Sequence, residues 1–230
     1  MRRARRRLGE WFTARATAFQ GELERALADC RSVLDVGCGS QSPLRLLANR
    51  PPRLVGVDGF EPAIEQSRAA GIHDEYRCLR LGEIGRSFAS RSFDAVVLID
   101  VVEHFEKAEG EALLDASEAI ASKRVVVFTP NGFLPQGEHY GNPYQRHRSG
   151  RTAPELRARG YSVLGINGWR PLRGDLAAVR FRPRRLWEAI SLLTVDYCRD
   201  RPELAFQLLG VLDRASGASD RPTMASFNSA

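Results

Sequence analysis

Short apolar runs recur along the chain, and they have the length of β-strands. The run inside Phe93–Ile99 is nearly unbroken, and similar runs fill Ser32–Val36 and Arg53–Asp58. A continuous apolar run suits a strand that is covered on both faces, as in a parallel sheet. Further strands are predicted at Tyr76–Leu81, Arg124–Phe128, Tyr161–Ile166 and Ala205–Leu212.

The segments between these runs carry apolar residues at every third or fourth position, which indicates helices. Helices are predicted at residues 8–30, 43–48, 61–70, 107–122, 152–159 and 186–197. Strands that alternate with helices predict an α/β domain with a doubly wound, mostly parallel sheet. We assign this domain to residues 31–214, after a basic segment and helix at 1–30 and before a disordered tail at 215–230.

Composition narrows the class of protein. Hydrophobic residues are 43% and charged residues 27% of the chain, which is ordinary for a soluble globular protein. No apolar run approaches the roughly 18 residues of a membrane span, and no signal sequence is recognisable, so we expect a cytoplasmic protein. The four cysteines are scattered, in keeping with that compartment.

Charge is concentrated at the N-terminus. The net charge is +6, and five arginines lie within residues 2–7, so the rest of the chain is close to neutral. We therefore expect no nucleic-acid partner, because no broad basic face is indicated. A weak contact of this N-terminal segment with an anionic membrane surface is a minor alternative.

Candidate ligand-binding residues follow the predicted strands. Asp35-Val36-Gly37-Cys38-Gly39 ends the first strand, and its glycines permit a tight turn before a helix whose N–H groups could face a ligand. Asp58 ends the second strand about 20 residues later, where an acid can bind ribose hydroxyls. Glu83 follows the third strand and could read an adenine edge. The alternatives are a plain turn for the glycines and a helix N-cap for Asp58.

Four motifs follow one another in a diagnostic order: VLDVGCG at 33–39, VGVDGFEP at 55–62, FDAVVLIDVVEHF at 93–105 and VVVFTPNG at 125–132. This order resembles the class I methyltransferases that use S-adenosylmethionine (SAM), in particular the type 11 small-molecule group, over roughly residues 30–170 and the last strand. The resemblance implies a Rossmann-like, seven-stranded sheet with an antiparallel final strand. The predicted helix at 186–197 would then be an insertion before that strand, whereas the N-terminal helix is predicted from its apolar spacing.

The resemblance further implies a set of SAM-binding residues. They are Asp35, Gly37, Cys38, Gly39, Asp58, Gly59, Phe60, Gly82, Glu83, Ile84 and Asp100. One departure is Gln41, which stands where the family usually has a third glycine and which could reshape the pocket. A dinucleotide-binding domain is the competing interpretation, but its GxGxxG turn would need glycine at Ser42.

The acceptor side of the site is predicted from the histidines. His104 follows the fourth strand, and His139 and His147 lie in the long loop after the fifth, whereas His73 is expected at the surface. We expect His104, His147 and Glu103 to be catalytic, as bases that accept the acceptor's proton. The loop is predicted to recognise substrate through His139, Tyr140, Asn142, Tyr144 and Gln145. No metal is expected, because these residues lack a compact ligand spacing.

The sequence therefore predicts a methyltransferase that uses SAM and acts, at oxygen, on a small-molecule or sugar- or lipid-linked acceptor. Methylation of RNA or protein is the first alternative, suggested by the arginines at 2–7 and 170–185. The second alternative is a degenerate methyltransferase fold that serves as a binding or scaffold subunit, suggested by Gln41.

Overall fold

A single sheet organises the computed structural model, which describes residues 18–138, 142–174 and 177–214. Its strands are β1 (Ser32–Val36), β2 (Arg53–Asp58), β3 (Glu75–Cys78), β4 (Phe93–Ile99), β5 (Ala121–Pro130), β6 (Ser162–Trp169) and β7 (Ala205–Asp213). Their order across the sheet is β3-β2-β1-β4-β5-β7-β6. The predicted seven-stranded sheet is thus confirmed.

Only β7 runs against its neighbours. It pairs antiparallel with both β5 and β6, whereas β1 to β5 pair parallel throughout. The chain moves outward from β1 to β3 and then returns to place β4 on the other side of β1. Ligands of open α/β sheets bind at such a reversal, beyond the carboxyl ends of the strands.

Apolar side chains cover both faces of the sheet. Along β4, Val96 and Leu98 belong to one buried cluster, and Ala95 and Val97 belong to the other. Because successive side chains of a strand point to opposite faces, this division shows that β4 is buried on both sides. The near-unbroken apolar run is thereby explained.

Helices pack on both faces. They are α1 (Ala18–Leu27), α2 (Glu61–Ala69), α3 (Ile84–Ser87), α4 (Lys107–Ile120), α5 (Ala153–Ala158), α6 (Arg184–Leu193) and α7 (Val195–Arg199). Leu113 and Leu114 of α4 join the first cluster, and Leu23 and Leu27 of α1 join the second. The helical insertion before the last strand is confirmed as α6 and α7, which meet at Thr194.

The helix predicted at 43–48 is wrong. One 3₁₀ turn, Pro43–Leu46, stands there, and the Ser42 hydroxyl accepts a hydrogen bond from the Leu44 backbone N–H at 3.2 Å. The segment between β1 and β2 is short, and its prolines at 51–52 disfavour helix before them. The glycine turn is therefore not followed by a full helix N-terminus.

Several element ends also differ from the predictions. β3 ends at Cys78 instead of Leu81, because residues 81–83 form a 3₁₀ turn. β5 begins at Ala121, where it pairs with Phe93, so α4 ends before Ser122. Residues 1–17 and 215–230, with the arginine cluster and the predicted tail, lie outside the described residues. Within the described ranges no helix has the length and apolar character to cross a membrane.

Gly165 on β6 allows close packing against α7. An added Cβ would meet the carbonyl oxygen of Cys198 and would lie 2.6 Å from the Ala205 Cβ. We predict that Gly165→Ala lowers the free energy of unfolding by about 1–3 kcal/mol, because overpacking forces backbone shifts. Gly137→Ala is the matched control, since its Cβ would meet open space. Equal stability of the two variants in urea denaturation would contradict this packing.

Candidate functional site

The loop after β1 is a tight turn that contains two glycines, and it lies where the strand order reverses between β1 and β4. Gly37 and Gly39 have φ values of 73° and 52°, in the left-handed region that favours glycine. The N–H groups of Gly37 and Cys38 both donate to the Val57 carbonyl, at 2.7 and 3.0 Å. A Cβ on Gly37 would lie 2.5 Å from a Val101 methyl carbon. The turn therefore requires glycine at position 37.

Asp58 at the end of β2 is tied to that turn. Its Oδ2 accepts a hydrogen bond from the Gly39 N–H at 2.9 Å, and its Oδ1 accepts one from the Phe60 N–H at 2.8 Å. Burial raises the pKa of Asp58, and these two N–H donors oppose that rise. A carboxylate has about four lone-pair sites, so Asp58 keeps acceptor capacity for ligand hydroxyls.

A groove of about 540 Å³ opens beside Asp58, and we call it the Asp58 groove. Its lining includes Gly37, Gly59, Gly82, Glu83, Arg80, Asn142, Tyr144 and Arg148. Tyr144 packs over the start of the groove, because a Cβ on Gly59 would lie 3.6 Å from its ring. The loop after β5 thus covers part of the groove.

A second cavity of about 460 Å³ lies at the ends of β4 and β5, and we call it the Glu103 pocket. Polar side chains in its lining include Asp100, Glu103, His104, Gln136, His147 and Gln207. Gly37, Asp100, His104 and Gln145 line both cavities. The two cavities therefore meet at the reversal point of the sheet.

Glu103 is the most deeply buried carboxylate of the pocket, with 1% of its surface exposed. Its Oε2 accepts a hydrogen bond from the Thr129 hydroxyl at 3.0 Å, and its Oε1 meets no donor among the described residues. The neighbouring Asp100 carboxyl could bond to it only by holding a proton. Burial, reinforced by the Asp100 charge, raises the pKa of Glu103. The pair therefore favours a shared proton or a bound cation.

Asp100 sits in a constrained conformation at the junction. Its φ of 52° lies in the left-handed region, which is unusual for a residue other than glycine. Gln207 Nε2 on β7 lies 3.4 Å from its Oδ1, and burial raises the pKa of Asp100 as well. Such a conformation persists only where the surroundings fix it, and it is typical of functional sites.

The rings of His104 and His147 pack edge-on against each other in the pocket, with their centroids 4.9 Å apart. His104 Nδ1 lies 3.2 Å from the Arg146 carbonyl oxygen, and His147 Nδ1 lies 2.6 Å from that of Leu134. Because a carbonyl only accepts, Nδ1 carries a proton in both rings, and in a neutral ring the lone pair is then on Nε2. Burial lowers the pKa of His104 to about 4.

The backbone carbonyl of Glu103 brings these two histidines together. It accepts hydrogen bonds from the N–H groups of Arg148 and Ser149, at 2.8 and 3.1 Å. The His147 N–H in turn donates to the Gln136 carbonyl at 3.1 Å. These bonds fasten the loop after β5 to the turn after β4.

The structure brings most of the predicted residues to these cavities, but not all of them. Ile84 lies in the core, and its N–H closes a turn on the Leu81 carbonyl. The Phe60 side chain lines neither cavity. Asn142 and Tyr144, predicted for the substrate, line the Asp58 groove instead of the Glu103 pocket. His139 and Tyr140 lie outside the described residues.

His73 is not at the surface, contrary to the sequence expectation. It is buried, and its Nε2 lies 2.8 Å from the Asp35 Oδ2, while its Nδ1 lies 3.4 Å from the Ser67 hydroxyl. Its neighbour Asp74 is the exposed residue of the two. His73 thus supports β1 from beneath the glycine turn.

Gln41 causes less disturbance than its place in the motif suggested. Its side chain is exposed at the edge of the Glu103 pocket, and its Oε1 accepts a hydrogen bond from Arg45 at 3.1 Å. Its backbone is not in the left-handed region, so the turn does not require glycine there.

Sequence reasoning missed Thr129, Gln136 and Gln207, which reach the Glu103 pocket from β5, its following loop and β7. Thr129 lies inside VVVFTPNG, so its place at the end of a predicted strand was the one available signal. Gln207 lies in an otherwise apolar strand, and only the pairing of β7 with β5 brings it near Asp100.

Comparisons with known proteins agree with this geometry. Residues 34–124 match the sequence model of a family described as a methyltransferase domain. A ubiquinone biosynthesis O-methyltransferase from Hahella chejuensis is 33% identical over 85 residues. That match covers 35% of this chain and 35% of the relative, so the similarity spans about a third of the relative's length.

Solved structures extend the likeness to the whole fold. A SAM-dependent methyltransferase from Archaeoglobus fulgidus aligns over 86% of this chain and 93% of its own, with TM-score 0.57 and 17% identity. Magnesium protoporphyrin IX methyltransferase from Synechocystis, solved with S-adenosylhomocysteine (SAH), covers 90% and 87%, with TM-score 0.51 and 14% identity. Residues 34–124 thus match a methyltransferase domain of the type 11 family, and the chain has the fold of these solved SAM-dependent methyltransferases, in agreement with its motifs.

The buried Asp35–His73 pair gives a stability prediction. Removing the imidazole leaves the Asp35 carboxylate, 2% exposed, without this partner. We predict that His73→Ala lowers the free energy of unfolding by about 3–5 kcal/mol, as breaking buried pairs does.

The control for His73→Ala is Glu75→Ala, which breaks the exposed Arg53–Glu75 ion pair and should cost less than about 1 kcal/mol. Urea denaturation followed by circular dichroism measures both variants. A cost for His73→Ala no larger than that for Glu75→Ala would contradict a supporting role for His73.

Proposed function

We propose that this protein transfers the methyl group of SAM to a hydroxyl oxygen of a small-molecule acceptor. The observation that carries the proposal is the junction of the two cavities at Gly37, Asp100, His104 and Gln145. A cofactor in the Asp58 groove would present its reactive end to a polar pocket that is separate from its nucleoside end.

The residues of the Asp58 groove fit SAM. Asp58 would accept hydrogen bonds from the ribose hydroxyls, and Glu83 lies where it could contact the adenine. Gly82 presents bare backbone to the groove, since a Cβ on it would meet no protein atom within 4 Å, and Gly39 does the same on the side of the Glu103 pocket. The SAH bound to the Synechocystis neighbour supports the same cofactor here.

The Glu103 pocket fits a small acceptor. Its volume of about 460 Å³ lies in the usual range for small-molecule sites. Its charged and polar lining suits an acceptor with hydroxyl groups, and the similarity to a ubiquinone biosynthesis O-methyltransferase favours oxygen as the methylated atom. The sequence alternative of an RNA or protein acceptor rests partly on arginines outside the described residues, and nothing in the described pocket favours it.

The proposed reaction is a displacement at the sulfonium methyl. A lone pair of the acceptor oxygen forms the new bond to the methyl carbon, and the carbon–sulfur bond breaks with its electrons staying on sulfur, which gives SAH. The hydroxyl proton passes to a carboxylate or imidazole of the pocket lining during the step. Because the sulfonium already activates the methyl group, positioning of the two reactants supplies much of the rate. Glu103, His104 and His147 are the groups that would face the acceptor oxygen.

Cofactor binding tests the proposal directly. We predict that the protein binds SAH and that Asp58→Asn weakens this binding by about 100-fold or more, because a charged acceptor of two hydroxyl hydrogen bonds is lost. Isothermal titration calorimetry measures the affinities.

Glu61→Gln is the matched control, since Glu61 is an exposed carboxylate at the start of α2 and should leave the affinity unchanged. No heat from SAH with the unmodified protein would contradict the cofactor assignment. Binding that survives Asp58→Asn would show that the ligand lies elsewhere.

A further inference from the structure

We propose that Glu103, His104 and His147 bind one divalent first-row transition-metal cation in the Glu103 pocket. One ligand atom from each of these side chains lies within 4.8 Å of the other two. Ligands at about 2.1 Å from a cation are about 3.4 Å apart at tetrahedral angles and about 4.2 Å apart when opposite. Small side-chain rotations therefore bring the three atoms into coordination.

The hydrogen bonds of the two histidines match those of metal ligands. Each ring donates Nδ1–H to a backbone carbonyl, that of Arg146 for His104 and that of Leu134 for His147. Metal-binding histidines usually make such a bond with the second nitrogen, which fixes the ring and its tautomer. In its neutral form each ring then has the lone pair on Nε2, which is the form that coordinates a metal.

The Glu103 carboxylate is a second observation that favours a cation at this position. It is 1% exposed, its Oε2 is held by the Thr129 hydroxyl, and its Oε1 meets no donor among the described residues. Leaving a buried carboxylate oxygen without a partner is costly. A bound cation would supply that partner, and the hydroxyl bond would orient the carboxylate toward it.

The ligand types indicate which cations suit the site. One carboxylate and two imidazoles occur together at catalytic zinc sites and at other first-row metal sites, and three protein ligands leave coordination positions open. Asp100 adds a second carboxylate beside Glu103, which can bind the cation or a water on it. Sequence spacing alone did not indicate this site, because His147 comes from a different loop.

A cation here would promote methyl transfer by helping the acceptor hydroxyl to lose its proton. This role, unlike cation binding, depends on the proposed function. His104 lines both cavities, so the cation would lie where the acceptor meets the cofactor. An acceptor hydroxyl bound at an open position would lose its proton more easily, because a divalent cation stabilises the alkoxide or phenolate. Cation binding itself requires no cofactor.

Titration with Mn²⁺ tests the inference. The full chain is stripped with a chelator and titrated, and the free ion is counted by electron paramagnetic resonance. Mn²⁺ prefers hard oxygen ligands over thiolates, so the cysteines do not compete. We expect one ion per chain. Glu103→Gln and His147→Gln should each raise the dissociation constant for Mn²⁺ more than about 100-fold, because loss of even a residue that only supports a ligand lowers metal affinity by about 10–100-fold.

Matched variants separate this inference from the cofactor assignment. Glu106→Gln removes an exposed carboxylate near the cluster, and Asp58→Asn removes the ribose acceptor; both should bind Mn²⁺ normally. SAH binding by Glu103→Gln shows that this variant is folded. If neither the unmodified protein nor the variants bind SAH, circular dichroism shows whether Glu103→Gln is folded. No bound Mn²⁺ at millimolar concentration, or equal binding by Glu103→Gln and the unmodified protein, would overturn the metal site.

Discussion

The buried Glu103 at the end of β4 is the constraint on which the site depends. Its backbone carbonyl accepts the N–H groups of Arg148 and Ser149, and its side chain accepts the Thr129 hydroxyl. These bonds join the turn after β4 to β5 and to the loop that follows it. Together with the bond from His104 Nδ1 to the Arg146 carbonyl, they hold His147 beside His104. Glu103 thus joins the turn after β4 to β5 through its side chain and to the following loop through its backbone.

The reversal of the sheet between β1 and β4 supplies the other half of the arrangement. Gly37 lies on one side of this reversal and Asp100 on the other, and both line the two cavities. The Asp58 groove has bare backbone and a hydrogen-bonding carboxylate, which suit a nucleoside. The Glu103 pocket has titratable and polar groups, which suit a reacting hydroxyl. The fold therefore divides binding and chemistry between two neighbouring cavities.

The sequence predicted those features that depend on local patterns. The apolar runs located all seven strands, and the position of Asp58 followed from its spacing after the glycine turn. Prediction from the sequence failed where contacts between distant segments determine the structure. His73 is buried because it pairs with Asp35, and Gln207 reaches the site only because β7 pairs with β5. The helix expected after β1 is replaced by the 3₁₀ turn Pro43–Leu46, and the prolines at 51–52 disfavour helix directly before them. The cluster of Glu103, His104 and His147 combines two loops, which no spacing rule could join.

The central claim is that the two cavities are one site, with the reactive end of the cofactor at their junction. A crystal structure of the protein with SAH tests this most directly. The account predicts the ribose on Asp58 and the sulfur atom at the junction lined by Gly37, Asp100, His104 and Gln145, facing the Glu103 pocket. A sulfur atom that points away from Glu103 and His104, or a ribose that does not contact Asp58, would contradict it.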